Sequence, residues 1–250
     1  MQHAGLRPSR RALVRLVLFA GGFGMAGLAT AGLGTAADAS PSCSVSWTGN
    51  AGNGSWSTAA NWSTHKVPGP ASDVCILAQA TVNATPPISV HSIQVGEGAS
   101  LPFGSGTVSV ATSLTSQGFI QLTGTTLSAG SIGLPSPGNI TSYGNSSITS
   151  PAFSNATGTV TVGTGGTLRL ADNPVQLHNG TLSGGSWLVS GVLVVPGDIA
   201  QITAQGTVVS VDGTGSAVQD TSSHNALATL TSVGSGAVLA VDEGASLTVT

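Results

Sequence analysis

Side chains able to do acid–base chemistry are few and widely separated in this chain of 250 residues. After position 39 the lysine and arginine residues are Lys66 and Arg169, and the acidic ones are Asp73, Glu97, Asp172, Asp198, Asp212, Asp220, Asp242 and Glu243. The histidines there, His65, His91, His178 and His224, are scattered, and none lies beside a nucleophile motif. Glycoside hydrolysis needs two carboxyl groups within roughly 5–10 Å of each other. A polysaccharide lyase or glycosidase would therefore have to bring together two or three of Asp172, Asp198, Asp212 and Asp220. The spacing of these four aspartates in the sequence does not predict that any two of them meet, so we assign no catalytic residue.

The other polar motifs favour structural roles over metal or nucleotide chemistry. On a strand, positions 169 and 171 share a face, so Arg169 and Asp172 need not meet, and we expect the two side chains not to pair. Arg169 is expected to point outward and Asp172 to cap the Asp-Asn-Pro turn that it begins. A calcium loop alternates oxygen ligands at close spacing, and Asp212 and Asp220 are not spaced in that way. The sequence predicts no metal site and no cofactor. Two cations are also too few for nucleic-acid binding.

Three of the four tryptophans, Trp47, Trp56 and Trp62, lie in one short segment and support two hypotheses. Exposed, coplanar indoles would form a stacking platform for extracellular polysaccharides or cell-surface glycans, as in a carbohydrate-binding module. Alternatively, the three side chains are buried in a cap. The end of a repeat fold exposes apolar core and unpaired strand edges, and indoles cover a large area.

The first 39 residues have the pattern of an export signal. A basic stretch, Arg7–Arg15, is followed by the apolar, small-residue segment Leu16–Leu33. Ala37-Asp38-Ala39 then predicts cleavage before Ser40. The two adjacent arginines fit a twin-arginine signal as well as an ordinary Sec signal, and a membrane anchor is the alternative. We expect an extracellular or cell-surface protein with no transmembrane segment after cleavage.

Cysteine usage agrees with export. The mature chain has an even number of cysteines, Cys43 and Cys75. In an oxidising compartment such a pair predicts one disulfide. A two-cysteine metal site lacks the paired ligand spacing that zinc requires.

Short apolar runs separated by glycine turns predict an all-β fold. The predicted strands are 93–95, 108–110, 119–122, 160–162, 168–170, 188–189, 192–195 and 247–249. Their period-2 alternation and β-branched residues are typical of strands. The motif Val95–Leu101 recurs as Val241–Leu247, and looser Gly-x-Leu copies recur at a spacing of roughly 20 residues, the mark of a solenoid.

These patterns divide the mature chain into two predicted parts. Residues 40–86 form a Trp-rich, disulfide-linked cap, and residues 87–250 form solenoid repeats that we expect to continue beyond the chain end. The predicted fold is a right-handed parallel β-helix. A β-sandwich is the alternative, since Asn179-Gly180 and Asp212-Gly213 are also typical of antiparallel hairpins.

The Trp segment also carries a family resemblance. The run Trp47–Trp62, followed by Val67-Pro68-Gly69-Pro70 and Asp73-Val74-Cys75, resembles the opening of β-helical passenger regions in bacterial secreted and autotransporter-like surface proteins. In those proteins, a similar Trp segment precedes Gly-x-Leu strand repeats. The resemblance implies a right-handed β-helix in a surface protein, with an adhesin-like role and no catalytic residues.

Three functional hypotheses follow from the sequence. We favour a secreted or cell-surface scaffold without catalytic activity, because the chain is repetitive and poor in ionisable groups. A β-helical polysaccharide lyase or glycoside hydrolase, and a carbohydrate-binding module built on the N-terminal tryptophans, are the alternatives.

Overall fold

The computed structural model describes residues 42–249, so the predicted signal peptide lies outside the described residues. The described part has one short 3₁₀ turn, Ala59–Asn61, and is otherwise built of strands and turns. The strands are β1 (Val45–Ser46), β2 (Asp73–Ile76), β3 (Ile88–Val90), β4 (Ser92–Val95), β5 (Ser100–Phe103), β6 (Gly106–Ser116), β7 (Phe119–Thr123), β8 (Thr125–Gly133), β9 (Asn139–Tyr143), β10 (Asn145–Thr149), β11 (Phe153–Ser154), β12 (Thr159–Val162), β13 (Thr167–Leu170), β14 (Leu177–His178), β15 (Thr181–Ser183), β16 (Ser186–Val189), β17 (Val192–Val194), β18 (Gln201–Thr203), β19 (Val208–Asp212), β20 (Ala217–Gln219), β21 (Ser232–Val233) and β22 (Val238–Asp242).

The strands form three sheets whose neighbours are rarely consecutive in sequence. Sheet 1 runs β1-β2-β4-β6-β8-β10-β13-β17-β20; in addition, β3 pairs with β6 and β11 pairs with β8. Sheet 2 runs β22-β19-β16-β12-β9-β7-β5, and sheet 3 runs β14-β15-β18-β21. All strand pairs are parallel except β14–β15. The predicted parallel β-helix is therefore confirmed, and the β-sandwich alternative is wrong because a sandwich pairs its strands antiparallel.

Equivalent positions in successive rungs are separated by a nearly constant number of residues. In sheet 2, Leu101 pairs with Ile120, Ile120 with Ile140, and Ile140 with Val160. These partners are 19 or 20 residues apart, which matches the spacing expected from the sequence. Each column of equivalent positions stacks at the inter-strand spacing of about 4.8 Å. One rung therefore buries its inner side chains against the next.

Sheet 1 bends along its two longest strands, β6 and β8. The first half of β6 pairs with β3, and its second half pairs with β4. Strand β8 repeats this arrangement with β10 and β11. In its pairing with β8, the register of β6 shifts between Val110 and Ser113. Together with sheet 2, the two halves of sheet 1 enclose a continuous apolar core. Its largest fully buried side chains include Phe103, Phe153 and Leu127.

A hairpin interrupts the parallel pattern at the start of sheet 3. Leu177 and His178 of β14 pair antiparallel with Leu182 and Thr181 of β15. The turn residues Asn179 and Gly180 have φ angles of 48° and 73°, as a two-residue hairpin with both central residues in the left-handed region requires. The Asn179-Gly180 pair thus forms a hairpin, but one that is part of the solenoid. Asp212-Gly213 forms none, because it ends β19, which pairs parallel with β16 and β22.

The predicted strand over residues 247–249 is wrong. Strand β22 ends at Asp242, and residues 245–249 follow without regular structure. The free edge of β20 is instead covered by the segment that follows it. The N–H of Ala226 donates to the carbonyl of Val218, and Asn225 forms an antiparallel bridge with Gln219. With that edge taken, residues 247–249 have no strand to pair with.

Candidate functional site

The three N-terminal tryptophans form a compact buried cluster. Trp47, Trp56 and Trp62 are 8 %, 3 % and 0 % exposed. Trp62 packs edge-to-face against both others, with ring centroids 4.9 Å from Trp47 and 4.8 Å from Trp56. Its Nε1 donates to the carbonyl of Trp56 at 2.7 Å. Sugar stacking needs an open ring face, so this packing favours the cap interpretation and argues against a glycan site on these indoles.

A buried asparagine organises the loop around the cluster. Asn61 is fully buried. Its Oδ1 accepts the N–H of Ala51 at 2.9 Å, and its Nδ2 donates to Oδ1 of Asn53 and to the carbonyl of Ser55. A fully bonded buried amide fixes a unique loop conformation, because any rearrangement would leave its donors or acceptor unpaired.

The predicted disulfide between Cys43 and Cys75 is confirmed. Cys75 is buried on β2, and Cys43 is exposed just before β1. The bond therefore fastens the first described residues to sheet 1 beside the Trp cluster. Strands β1 and β2 already belong to sheet 1, so the sheet begins within the segment 40–86.

An aspartate, a histidine and a serine meet at the corner before β2 and β4. Nδ1 of His91 lies 2.7 Å from Oδ1 of Asp73, and the hydroxyl of Ser92 donates to the same oxygen at 2.6 Å. The hydrogen bond from Ser92, and next the one from His91, lower the pKa of Asp73. Ser92 is buried and bonded to the carboxylate rather than to the imidazole. A nucleophile needs its base within hydrogen-bond reach, so this trio suits structure better than catalysis.

Sequence reasoning missed this trio. Asp73 and His91 are 18 residues apart, which is close to one rung. Asp73 begins β2, and His91 directly precedes the neighbouring strand β4, in which Ser92 pairs with Asp73. The repeat length was the only available signal, because pairs separated by one rung stand side by side.

The four carboxylates considered for catalysis fall into two groups. Asp172, Asp198 and Asp220 follow β13, β17 and β20, so they leave the same edge of sheet 1 in successive rungs. Asp212 ends β19 in sheet 2. Among residues 42–249, no hydrogen bond joins these carboxylates, and no group of three His, Cys, Asp or Glu side chains could hold a metal ion.

Asp220 is engaged in its own turn. Its Oδ1 accepts the N–H groups of Ser222 and His224, each at 2.8 Å, and Oδ2 lies 3.3 Å from Nδ1 of His224. The N–H of His224 is the main cause that lowers the pKa of Asp220. A carboxylate held in this way stabilises the loop after β20 and is a poor proton donor at neutral pH.

Arg169 stands apart from Asp172. It lies on the outer face of β13, exposed, and within the described residues the ion pairs are His91–Asp73 and His224–Asp220. Asp172 follows at the turn after the strand. The expectation that the two side chains do not pair agrees with this placement.

No helix within residues 42–249 has the length and apolar character needed to cross a membrane. Comparison of the chain with protein-family models, with curated proteins and with solved structures found no match.

Proposed function

We propose that this chain is an exported, non-catalytic β-helix scaffold of a cell surface or extracellular space, with an adhesin-like role. The observation that carries the proposal is the distribution of side chains in the described fold: apolar side chains fill the interior, and no Asp, Glu, His, Lys or Arg of residues 42–249 is buried there. The ion pairs among these residues, His91–Asp73 and His224–Asp220, lie at corners outside the core. A rigid rod of stacked rungs presents extended flat faces, which suits display or contact more than turnover.

Support for export comes from the disulfide between Cys43 and Cys75, since such bonds form and persist in oxidising compartments. We propose further that residues 1–39 are removed as a signal peptide, and that residues 40–86 act as a cap for the repeats that follow. Expression with the native leader tests this directly. Secretion with a mature N-terminus at Ser40 is expected, and retention of the uncleaved chain in the cytoplasm would contradict it.

A second candidate function is polysaccharide cleavage at the edge of sheet 1. The observation in its favour is the shared edge of Asp172, Asp198 and Asp220. Incubation of the purified chain with acidic and neutral polysaccharides, followed by reducing-end and unsaturated-product assays, separates the two candidates. The scaffold predicts no product. Product release that disappears in Asp172→Asn and Asp198→Asn, but persists in Asp242→Asn, would establish the enzyme instead.

A further inference from the structure

Two aromatic side chains stand on the outer face of sheet 2, away from the Trp cluster. Strand alternation directs Phe119, Gln121 and Thr123 of β7 outward, and likewise Asn139 and Tyr143 of β9. Phe119 is partly exposed, and Tyr143 is 46 % exposed. The register places Phe119 beside Asn139 and Thr123 beside Tyr143. The Cα atoms of Phe119 and Tyr143 are therefore roughly 14 Å apart, at opposite ends of a polar strip.

Tyr143 is held as a platform by a glycine in the next rung. A Cβ atom added at Gly163 would lie 2.6 Å from both Cδ1 and Cε1 of Tyr143. The ring therefore rests on the bare backbone of Gly163, in a contact that any larger residue would prevent. Covering a glycine with a neighbouring aromatic ring is a known way to order both. One side of the ring is thereby fixed, while the side chain remains half-open to solvent.

The polar strip between the rings presents hydrogen-bonding groups that have no protein partner. Nε2 of Gln121 donates to the hydroxyl of Thr123 at 3.2 Å, and the hydroxyl of Thr141 donates to Oδ1 of Asn139 at 2.9 Å. These bonds orient the two amides. In the assigned amide orientation, Oε1 of Gln121 and Nδ2 of Asn139 have no bonded protein group among the described residues. The oriented acceptor on Gln121 thus lies between the rings, and the oriented donor on Asn139 lies beside Phe119.

Charge is absent from this surface. Strands β5, β7, β9 and β12, which form its centre, contain no Asp, Glu, Lys or Arg. On the Phe119 side a shallow groove is lined by Ser100, Gln117, Phe119, Pro137 and Asn139. A ligand that matches this face has apolar patches for the rings, hydroxyl groups for the amides, an extended shape and no formal charge.

We propose that this outer face of sheet 2, here called the Phe119–Tyr143 face, binds a neutral polysaccharide chain, with one sugar ring packed on each aromatic side chain. The C–H faces of a sugar meet an aromatic ring, and its hydroxyls pair with the amides of Gln121 and Asn139. The separation of the rings requires several linked sugars rather than a monosaccharide. The inference adds a ligand to the proposed scaffold. It rests on the proposed function only in that binding takes place outside the cell.

The test is a binding measurement on the purified chain with named neutral polymers: cellulose, chitin, xylan and soluble β-glucan, with polygalacturonate as the charged comparison. We expect binding to at least one neutral polymer. Tyr143→Ala and Phe119→Ala should each weaken it at least tenfold, and Tyr143→Phe should retain it because the ring makes the contact. Gly163→Ala should weaken it as well, since the ring is displaced while the tyrosine remains.

Val175→Ala is the matched control, because Val175 is 58 % exposed and lies outside this face. It should leave binding unchanged, and thermal unfolding of each variant shows whether it is folded. Absence of binding to every neutral polymer, binding that survives both ring removals in folded variants, or binding to polygalacturonate alone would each overturn the proposal. Failure of the scaffold proposal would show differently, as product release or cytoplasmic retention.

Discussion

Ser142 is a polar residue in an otherwise apolar column of the core. Its register neighbours are Leu122 on β7 and Val162 on β12, and it is fully buried. Its hydroxyl has no hydrogen-bond partner in the described structure. A buried hydroxyl without a partner loses its hydrogen bonds to water and forms none in the protein to replace them. The native residue at this position therefore lowers stability.

Replacing Ser142 with alanine should accordingly stabilise the fold. We expect the free energy of unfolding of Ser142→Ala to rise by about 1 kcal/mol, because the unpaired hydroxyl is removed and the methylene remains. Ser116→Ala is the matched control. Ser116 is equally buried, but its hydroxyl donates to the carbonyl of Gly118 at 3.1 Å, so its loss should destabilise. Urea unfolding of both variants measures the difference, and equal shifts in the same direction would contradict this account.

The corner trio of Asp73, His91 and Ser92 predicts a pH dependence. The folded state lowers the pKa of Asp73 through Ser92 and then His91. Such a group adds stability above its unfolded pKa, and this contribution disappears as the pH falls through its folded pKa. The stability difference between the native chain and Asp73→Asn should therefore shrink as the pH falls below about 4. Urea unfolding between pH 5 and pH 2 tests it, with Glu97→Gln as the control because Glu97 is an exposed turn residue. A difference that is still undiminished at about pH 2 would be evidence against the bond.

At the level of elements, the tight corners between strands decide where glycine is required. At the corner before sheet 2, the carbonyls of Gly118, Gly138 and Gly158 accept hydrogen bonds from the following rungs. A Cβ at Gly138 would clash with the carbonyl oxygen of Ser116 and lie 2.7 Å from that of Pro135. Backbone atoms of two rungs occupy the space that any side chain would need.

Gly138→Ala should therefore lower stability by more than about 2 kcal/mol, since relief of the clash requires backbone movement in two rungs. Gly197→Ala is the control, because no atom lies within 4 Å of a Cβ built there. It should be neutral or slightly stabilising, as alanine reduces the entropy of the unfolded chain. Thermal unfolding of the two variants provides the comparison. If Gly138→Ala is tolerated as well as Gly197→Ala, the corner is less tightly packed than the structure indicates.

The disulfide offers a test of the N-terminal element. Cys43→Ser should lower the free energy of unfolding by about 3 kcal/mol, because the unfolded chain regains the freedom of the 32-residue span. Cys43 is the better site than Cys75, since it is exposed and serine there buries no hydroxyl. Urea unfolding with and without reductant gives the measurement. Reductant should destabilise the native chain but leave Cys43→Ser unchanged, and sensitivity of the variant to reductant would point to another cause.

On the scale of the whole molecule, the sequence predicted the period of the fold better than its contacts. The alternation of apolar and polar residues in segments such as Thr159–Val162 correctly indicated strands. Both copies of the repeated motif form turns: the N–H of Ala99 donates to the carbonyl of Gly96, and the N–H of Ala245 donates to the carbonyl of Asp242. The two copies nevertheless turn different corners, before β5 and after β22. Similar residues can therefore occupy different positions within a rung.

The candidate site was beyond sequence reasoning for the same reason. Tyr143 and Gly163 are 20 residues apart, or one rung, and meet only because β9 and β12 pair in one particular register. A period of roughly 20 residues leaves the register open by one or two positions. A shift of one residue reverses the face on which a side chain stands. The tryptophans were visible as a cluster, but their burial depends on three-dimensional packing.

The stacked architecture also predicts how stability is distributed along the molecule. Contacts in a solenoid are mainly between neighbouring rungs, so opening can be local. Strand β7 pairs along both edges, with β5 and β9, and its inner side chains Ile120 and Leu122 are fully buried. Strand β22 pairs with β19 alone within residues 42–249, and Leu239 and Val241 remain partly exposed.

For the 250-residue chain by itself, hydrogen exchange should therefore be at least about tenfold slower in the backbone amides of β7 than in those of β22. A peptide covering β12 serves as the control, because β12 also pairs along both edges and should match β7. Mass spectrometry of exchange at neutral pH measures all three segments in one experiment. Equal protection throughout would mean that the rungs open only together, as one cooperative unit. In that case nearest-neighbour stacking would not describe the stability of this solenoid.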